Sequence, residues 1–208
     1  MYKWIGIICI LLGVVCIFGS VGFVVYNQWE DKHAGEITQD LLADIQGVID
    51  QNRPENPLPD DTGDLPGDME NIPAELPTVK VGGYDCIEIL SVPVLDLELP
   101  VLADWSYTKL KKAPCHYYGN NYEKDFVIAA HNYKSHFGRL SELHTGDLIV
   151  FTDANGADHG YEVVLLETLP KEATQEMIAS GFALSLYTCT PGGASRVTVR
   201  CNAVADRN

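Results

Sequence analysis

Residues 4–26 carry no charged side chain, and this run of 23 residues constrains the chain more than any other feature. At about 1.5 Å of rise per residue, a helix of that length crosses a hydrocarbon core of roughly 30 Å. A cleaved signal peptide is the competing reading. It fits less well, because such apolar cores run to about 15 residues and end at a small-x-small site, which is missing here. Cys16 follows Val14 and Val15, where a lipoprotein signal wants small residues. Residues 1–26 are therefore expected to be a cytoplasmic N-terminus and one uncleaved transmembrane helix. Lys3 and the chain amine lie on the N-terminal side, so the positive-inside rule places everything after the helix outside the cell.

The net charge of −15 is unevenly spread. Residues 27–78 hold 13 acidic and two basic side chains, net −11, whereas residues 79–208 are at −5. This balance argues against nucleic acid as a partner. Contact with the membrane is left to the N-terminal helix. Cys86, Cys115, Cys189 and Cys201 fall in the outer part, where two disulfides are possible, and whether Cys86 and Cys115 are bridged stays open. No C-x-x-C pair or regular His/Cys spacing points to a metal, and no cofactor is called for.

Within residues 27–78, Ile37, Leu41, Ile45 and Val48/Ile49 recur at helical spacing, which predicts a helix over residues 34–51 serving as a stalk or a surface-docked element. Six prolines between residues 52 and 78 then make a linker, and a domain boundary follows near Val79. From there short β-like runs take over, at residues 86–92, 95–102, 126–130, 147–152, 161–168, 182–189 and 196–204. Short helical stretches are expected at 138–143 and 172–179. Seven or eight strands with few helices imply an all-β barrel or sandwich over residues 79–208.

The last two strands carry the chemistry. Alternation puts Cys189 at the end of one strand, on the face opposite Leu184 and Leu186. The segment Thr190-Pro191-Gly192-Gly193-Ala194-Ser195 turns the chain. If the strands pair as a hairpin, Arg196 emerges within about one strand spacing, ~4.8 Å, of Cys189. A guanidinium there favours a thiolate and donates hydrogen bonds to an oxyanion. A structural surface arginine beside a half-buried cysteine is the plainer alternative, and Arg200 shares the face as a rival. His131 follows the apolar run 126–130, at a strand end where a barrel opens to solvent. It suits a general acid for an amine leaving group, or it is simply a boundary histidine.

These segments together resemble the sortase family. Ser185-Leu186-Tyr187-Thr188-Cys189 is similar to its Thr-Leu-x-Thr-Cys signature, Ile128-Ala129-Ala130-His131-Asn132 to the strand that delivers its histidine, and Arg196-Val197-Thr198-Val199-Arg200 to the strand that carries its arginine. Ala130 stands where the family often has Gly, and Ser185 where it has Thr.

The resemblance implies an eight-stranded sortase-type β-barrel with short helices behind one transmembrane helix. It implies Cys189, His131 and Arg196 as catalytic residues, with Thr188, Ala130 and Asn132 on the substrate-binding side. The implied reaction cleaves a Leu-Pro-x-Thr-Gly-like sorting signal between Thr and Gly. A thioacyl intermediate then passes to an amine of peptidoglycan or a pilin, with sorting-signal-bearing surface proteins as substrates. A thiol hydrolase with the same site and a degenerate binding module are the alternatives. The loop 169–181 corresponds to a region that shapes substrate recognition in the family. No second apolar span follows the barrel and no aspartate-proline-aromatic lid lies in the linker, yet Cys189-Thr190-Pro191 is shared with pilus-polymerising members, so the subgroup stays open. The linker sequence Leu58-Pro59-Asp60-Asp61-Thr62-Gly63 is a sorting motif with one extra residue. Chance explains it in a stretch rich in Pro, Asp and Gly. If it instead occupies the groove in cis, deleting residues 58–63 raises the transpeptidation rate, and an unchanged rate discards the idea.

Overall fold

The structure is a computed structural model that describes residues 2–52, 76–120 and 124–204. The linker motif at 58–63 lies outside these residues. A single helix, α1 (Tyr2–Asn52), runs through the apolar span and on into the amphipathic stretch without a break. Its 51 residues correspond to about 77 Å of length. The residues of the apolar span whose side chains are described are exposed, as expected for a segment whose solvent is lipid.

Among the described residues nine strands follow: β1 (Val79–Val81), β2 (Tyr84–Val92), β3 (Leu97–Leu102), β4 (Cys115–Tyr118), β5 (Phe126–Ala129), β6 (Leu148–Asp153), β7 (Asp158–Pro170), β8 (Leu184–Cys189) and β9 (Ser195–Ala203). Eight of them close a barrel in the order β2-β3-β4-β5-β8-β9-β7-β6, sealed where β6 pairs back onto β2. Among the described residues, closure gives each of these eight strands a neighbour on both sides, which protects sheet edges from templating aggregation. The ninth, β1, is a short hairpin arm on the first residues of β2. Two short helices sit outside the wall, α2 (Tyr107–Leu110) and α3 (Thr174–Ile178), near the helical stretch expected at 172–179. The turn expected within 138–143 is a 3-10 turn at Leu140–Glu142.

Two cores share the wall. Inside the barrel, alternating residues such as Leu90, Leu99, Phe126, Phe151, Leu186 and Val199 are fully buried. On the outside, Leu41, Leu42, Ile45 and Ile49 of α1 cover Val81, Cys86, Ile89, Leu102, Ala113 and Cys115. The stripe at helical spacing is thus a docked element rather than a free stalk. Each of its buried side chains contributes about 1.5–3 kcal/mol of apolar burial. Cys86 and Cys115 both lie in this second core as free thiols. Cys86 pairs with Leu102, and Leu102 with Cys115, so two strand spacings separate them. That is roughly 9–10 Å, beyond the reach of a disulfide.

One polar pair is buried with the apolar residues. Glu88 of β2 stands opposite Asp153 of β6 in the barrel-closing ladder. Glu88 is 1% exposed, and neither of its carboxyl oxygens has a hydrogen-bond partner among the described residues. Burial, and then the charge of Asp153, hold its carboxyl well above the usual 4.5. The folded chain therefore binds this proton more tightly than the unfolded chain. The contribution is complete below pH 4.5 and is lost as pH rises through the folded-state value. Glu88→Gln should abolish that decline, so that urea midpoints measured from pH 4.5 upward fall less steeply in the variant. Parallel profiles would show that Glu88 does not titrate in this way.

Candidate active site

The site is assembled by strand pairing. β5 and β8 are parallel, with Ala129 opposite Tyr187. Two residues on, His131 therefore comes level with Cys189. β8 and β9 are antiparallel, with Cys189 directly opposite Arg196. Three adjacent strand ends thus present His131, Cys189 and Arg196 on the outer face of the barrel, in that spatial order.

Two hydrogen bonds lock the β5–β8 seam beyond the strands. The Ala130 amide donates to Tyr187 O at 3.1 Å, and the Thr188 hydroxyl donates to Ala130 O at 2.9 Å. Thr188 is 3% exposed, so its hydroxyl is committed to the histidine strand. Ala130 is buried and contributes its backbone to the same seam.

Cys189 is half-buried at the mouth of a groove of about 160 Å³. Ala129, Ala130 and Tyr187 form part of its lining, together with Arg196. Trp105, Tyr107 and Tyr117 also line it, in ring contact with one another and with Tyr187: Trp105 to Tyr117 at 5.5 Å and Tyr117 to Tyr187 at 5.4 Å. Pro170, Ala173, Thr174 and Met177 come from the loop that leads into β8. A second cleft touches Cys189 from the other side and holds Asn132, Thr188, Pro191 and Val197.

Arg196 and Arg200 have different roles. Arg200 is 1% exposed. Its Nε donates to Glu167 at 2.8 Å, its Nη1 to the Ser185 hydroxyl at 2.8 Å, and its Nη2 to Glu176 O at 2.7 Å. It ties α3 to the barrel and has no path to Cys189. Arg196 is half-buried, and its Nη1 donates to Gly193 O and Ser195 O at 3.2 and 3.1 Å. No other atom of its guanidinium has a hydrogen-bond partner among the described residues. The intervening turn is closed by Thr190 N to Ser195 O at 3.0 Å, with Gly192 and Gly193 both left-handed, at φ 83° and 73°. Side chains at those two positions would be strained.

His131 lines a neighbouring cleft together with Asn27, Glu30, Asp31, Asn132 and Tyr133. Its ring stacks on Tyr133, with centroids 4.0 Å apart and planes at 10°. Nδ1 lies 3.0 Å from Asn132 Oδ1, so Nδ1–H donates and Nε2 is the nitrogen left for proton transfer. Burial lowers its pKa below the usual 6.5, an effect opposed by the Asn132 bond. Gly138 closes the loop behind it: a Cβ there would come within 2.6 Å of Asn132 O.

The sequence alone singled out Cys189, His131 and Arg196 as candidates, which strand pairing brings to adjacent positions, and it missed three elements around them. The aromatic wall was signalled only by Trp105, Tyr107 and Tyr117 in segments without periodicity. Asp125, at φ 63°, accepts from the amides of Ser180 and Gly181 at 2.6 and 2.7 Å and pins the loop before β8. The contacts of α1 with the histidine loop left no local trace. Among the described residues, no group of three or more His, Cys, Asp or Glu side chains is gathered as a metal site.

Residues 90–205 match the Sortase domain family. Among solved structures, the chain is similar to sortase A from Corynebacterium diphtheriae, at 24% identity and a TM-score of 0.52 over 60% of this chain and 63% of that one. It is similar to sortase C1 from Streptococcus suis, at 25% identity and a TM-score of 0.52 over 59% and 74% of the two chains. Sortase C1 from Streptococcus agalactiae gives 22% identity and a TM-score of 0.52 over 58% and 68%. The chain thus spans less than two thirds of the Corynebacterium structure. No curated protein matches it in sequence.

The thiols differ in burial. Cys86, Cys115 and Cys201 are buried, and desolvation pushes them up to about 11, about 12 and about 12. Because the thiolate is the reactive form, iodoacetamide at pH 8 should modify Cys189 and spare these three. Peptide mapping should find no modified cysteine beyond residue 79 in Cys189→Ala. Equal labelling of Cys86 or Cys115 would contradict the packing of α1 on the barrel.

Proposed function

The chain belongs to the sortase family, and on that premise we propose that it is a membrane-anchored cysteine transpeptidase. It cleaves a Leu-Pro-x-Thr-Gly-like signal between Thr and Gly and joins the acyl part to an amine of the cell wall or a pilin. The observation that carries this reading is the strand register, which sets His131 and Arg196 on either side of Cys189.

In this reading the Cys189 thiolate attacks the Thr carbonyl carbon. The developing oxyanion is met by the guanidinium of Arg196, whose Nε and Nη2 remain available for it. The C–N bond breaks as His131 Nε2–H protonates the departing glycine amine, leaving a thioester on Cys189. The acceptor amine attacks that thioester, His131 takes its proton, and the thiolate is released. Burial keeps only a minor fraction of His131 protonated at neutral pH, so the fraction competent as an acid falls as pH rises. Thr188 and Ala130 hold the histidine strand against the cysteine strand, and Asn132 orients the imidazole. The aromatic and α3 sides of the groove suit an extended, partly apolar peptide. The apolar part of α1 is the anchor, with the N-terminus in the cytoplasm and the barrel outside.

The test uses residues 27–208, which keep the docked half of α1, with a panel of Leu-Pro-x-Thr-Gly peptides and several amines. A Thr–amine ligation product read by mass spectrometry is expected, and it should vanish in Cys189→Ala. Arg196→Ala should lower kcat by about 10²–10³-fold, the loss seen on removing an oxyanion donor. Arg200→Lys should retain the chemistry better than Arg196→Lys. Cleavage to the acid with every amine would make the chain a thiol hydrolase, and turnover by Cys189→Ala would remove the cysteine from the mechanism.

A further inference from the structure

We propose that Asp31 and Thr38 of α1 are positioning residues for His131. The first turns of the helix beyond the apolar span hold the loop on which the histidine stands. The inference rests on the reading of His131 as the residue that moves the proton.

Residues 131–138 form no strand pairing, so their geometry must be fixed by other contacts. Within the loop, the amides of His136 and Gly138 donate to Tyr133 O at 3.0 and 2.8 Å, and that of Phe137 to His131 O at 3.2 Å. The Phe137 side chain is buried in the barrel core, and further fixed points come from α1. Asp31 Oδ1 accepts from the Ser135 amide at 3.0 Å and from the Ser135 hydroxyl at 2.7 Å. Thr38 Oγ1 lies 2.9 Å from His136 Nε2, with both residues buried. Glu30 is bonded to Lys111 at 3.0 Å, and it lines one cleft with Tyr133, whose ring stacks on His131.

Gly35 makes the close approach possible, because a Cβ at that position would stand 3.1 Å from Ser135 Cβ. The helix therefore grips loop residues 135 and 136, directly beyond the histidine, and lines one cleft with His131. A group placed in this way acts mainly on turnover, since the groove lined by Cys189, Arg196 and the aromatic wall takes no residue from 131–138.

The experiment uses the full chain in lipid nanodiscs. Asp31→Ala and Thr38→Val are compared with Asp31→Asn and Thr38→Ser, which keep the acceptor or the hydroxyl, and with Asp44→Ala on the exposed side of α1. The readouts are kcat and KM for the peptide, and the position of the His131 ring Cε1–H resonance. Asp31→Ala and Thr38→Val should each lower kcat by about 10–100-fold, the scale expected for a catalytic group displaced by an ångström or less. KM should stay within about twofold. The His131 resonance should move, and the conservative variants should recover most of the rate. A kcat within twofold of wild type with the resonance in place would overturn the proposal. So would a loss of rate that merely follows the unfolded fraction. If the unaltered chain forms no ligated product, the function proposed above fails on its own, and the shift of the His131 resonance still decides the positioning claim.

Discussion

The pairing of β8 with β5 on one side and β9 on the other is the constraint from which the rest follows. The same ladders that bury Leu184, Leu186 and Val199 in the barrel interior set Cys189 level with Arg196 and within one strand of His131. A slip of one residue in either ladder would turn the side chains to the opposite face, expose the core and dissolve the site together. Packing and chemistry are thus specified by one register. The buried hydroxyl of Thr188, bonded to Ala130 O, ties the two strands at the point where they stop being strands.

The surroundings of that register are held by polar contacts to loops. Arg200 and Asp125 act from opposite sides on the segment before β8: one receives α3 through backbone carbonyls, the other receives Ser180 and Gly181 through their amides. α1 does the same for the histidine loop. Because α1 is one uninterrupted helix, the element that crosses the apolar span is also the element that packs beneath Cys86 and Cys115 and beside His131. A chain cut at residue 79 would lose a buried face as well as the apolar span.

Much of this was legible in the sequence, for identifiable reasons. Strands such as 126–130 and 182–189 carry unbroken or alternating apolar residues, and the Pro-Gly-Gly turn announces the hairpin that pairs Cys189 with Arg196. The stripe from Ile37 to Ile49 was visible as helical, but its docking partner was not, since the receiving residues lie more than 30 positions away. β4 was missed because Cys115-His116-Tyr117-Tyr118 is short and lacks alternation; it is a strand because β3 and β5 supply its hydrogen bonds. Arg200 and Arg196 share a face and were ranked by distance from the turn and by the family resemblance. Burial and four hydrogen-bonded partners separate them in the structure. The helical segments read at 4–26 and 34–51 belong to one helix, since the residues between them continue it.

The central claim is that Cys189 carries the acyl group. Its most direct test is the intact mass of the chain, quenched in acid within the first turnovers with a Leu-Pro-x-Thr-Gly peptide, followed by mapping of the modified residue. The account predicts an added mass equal to the Leu-Pro-x-Thr acyl fragment, located on Cys189 and discharged by hydroxylamine. Product formation with the acyl group on another residue, or with no covalent species at Cys189 under conditions that slow its release, would contradict it.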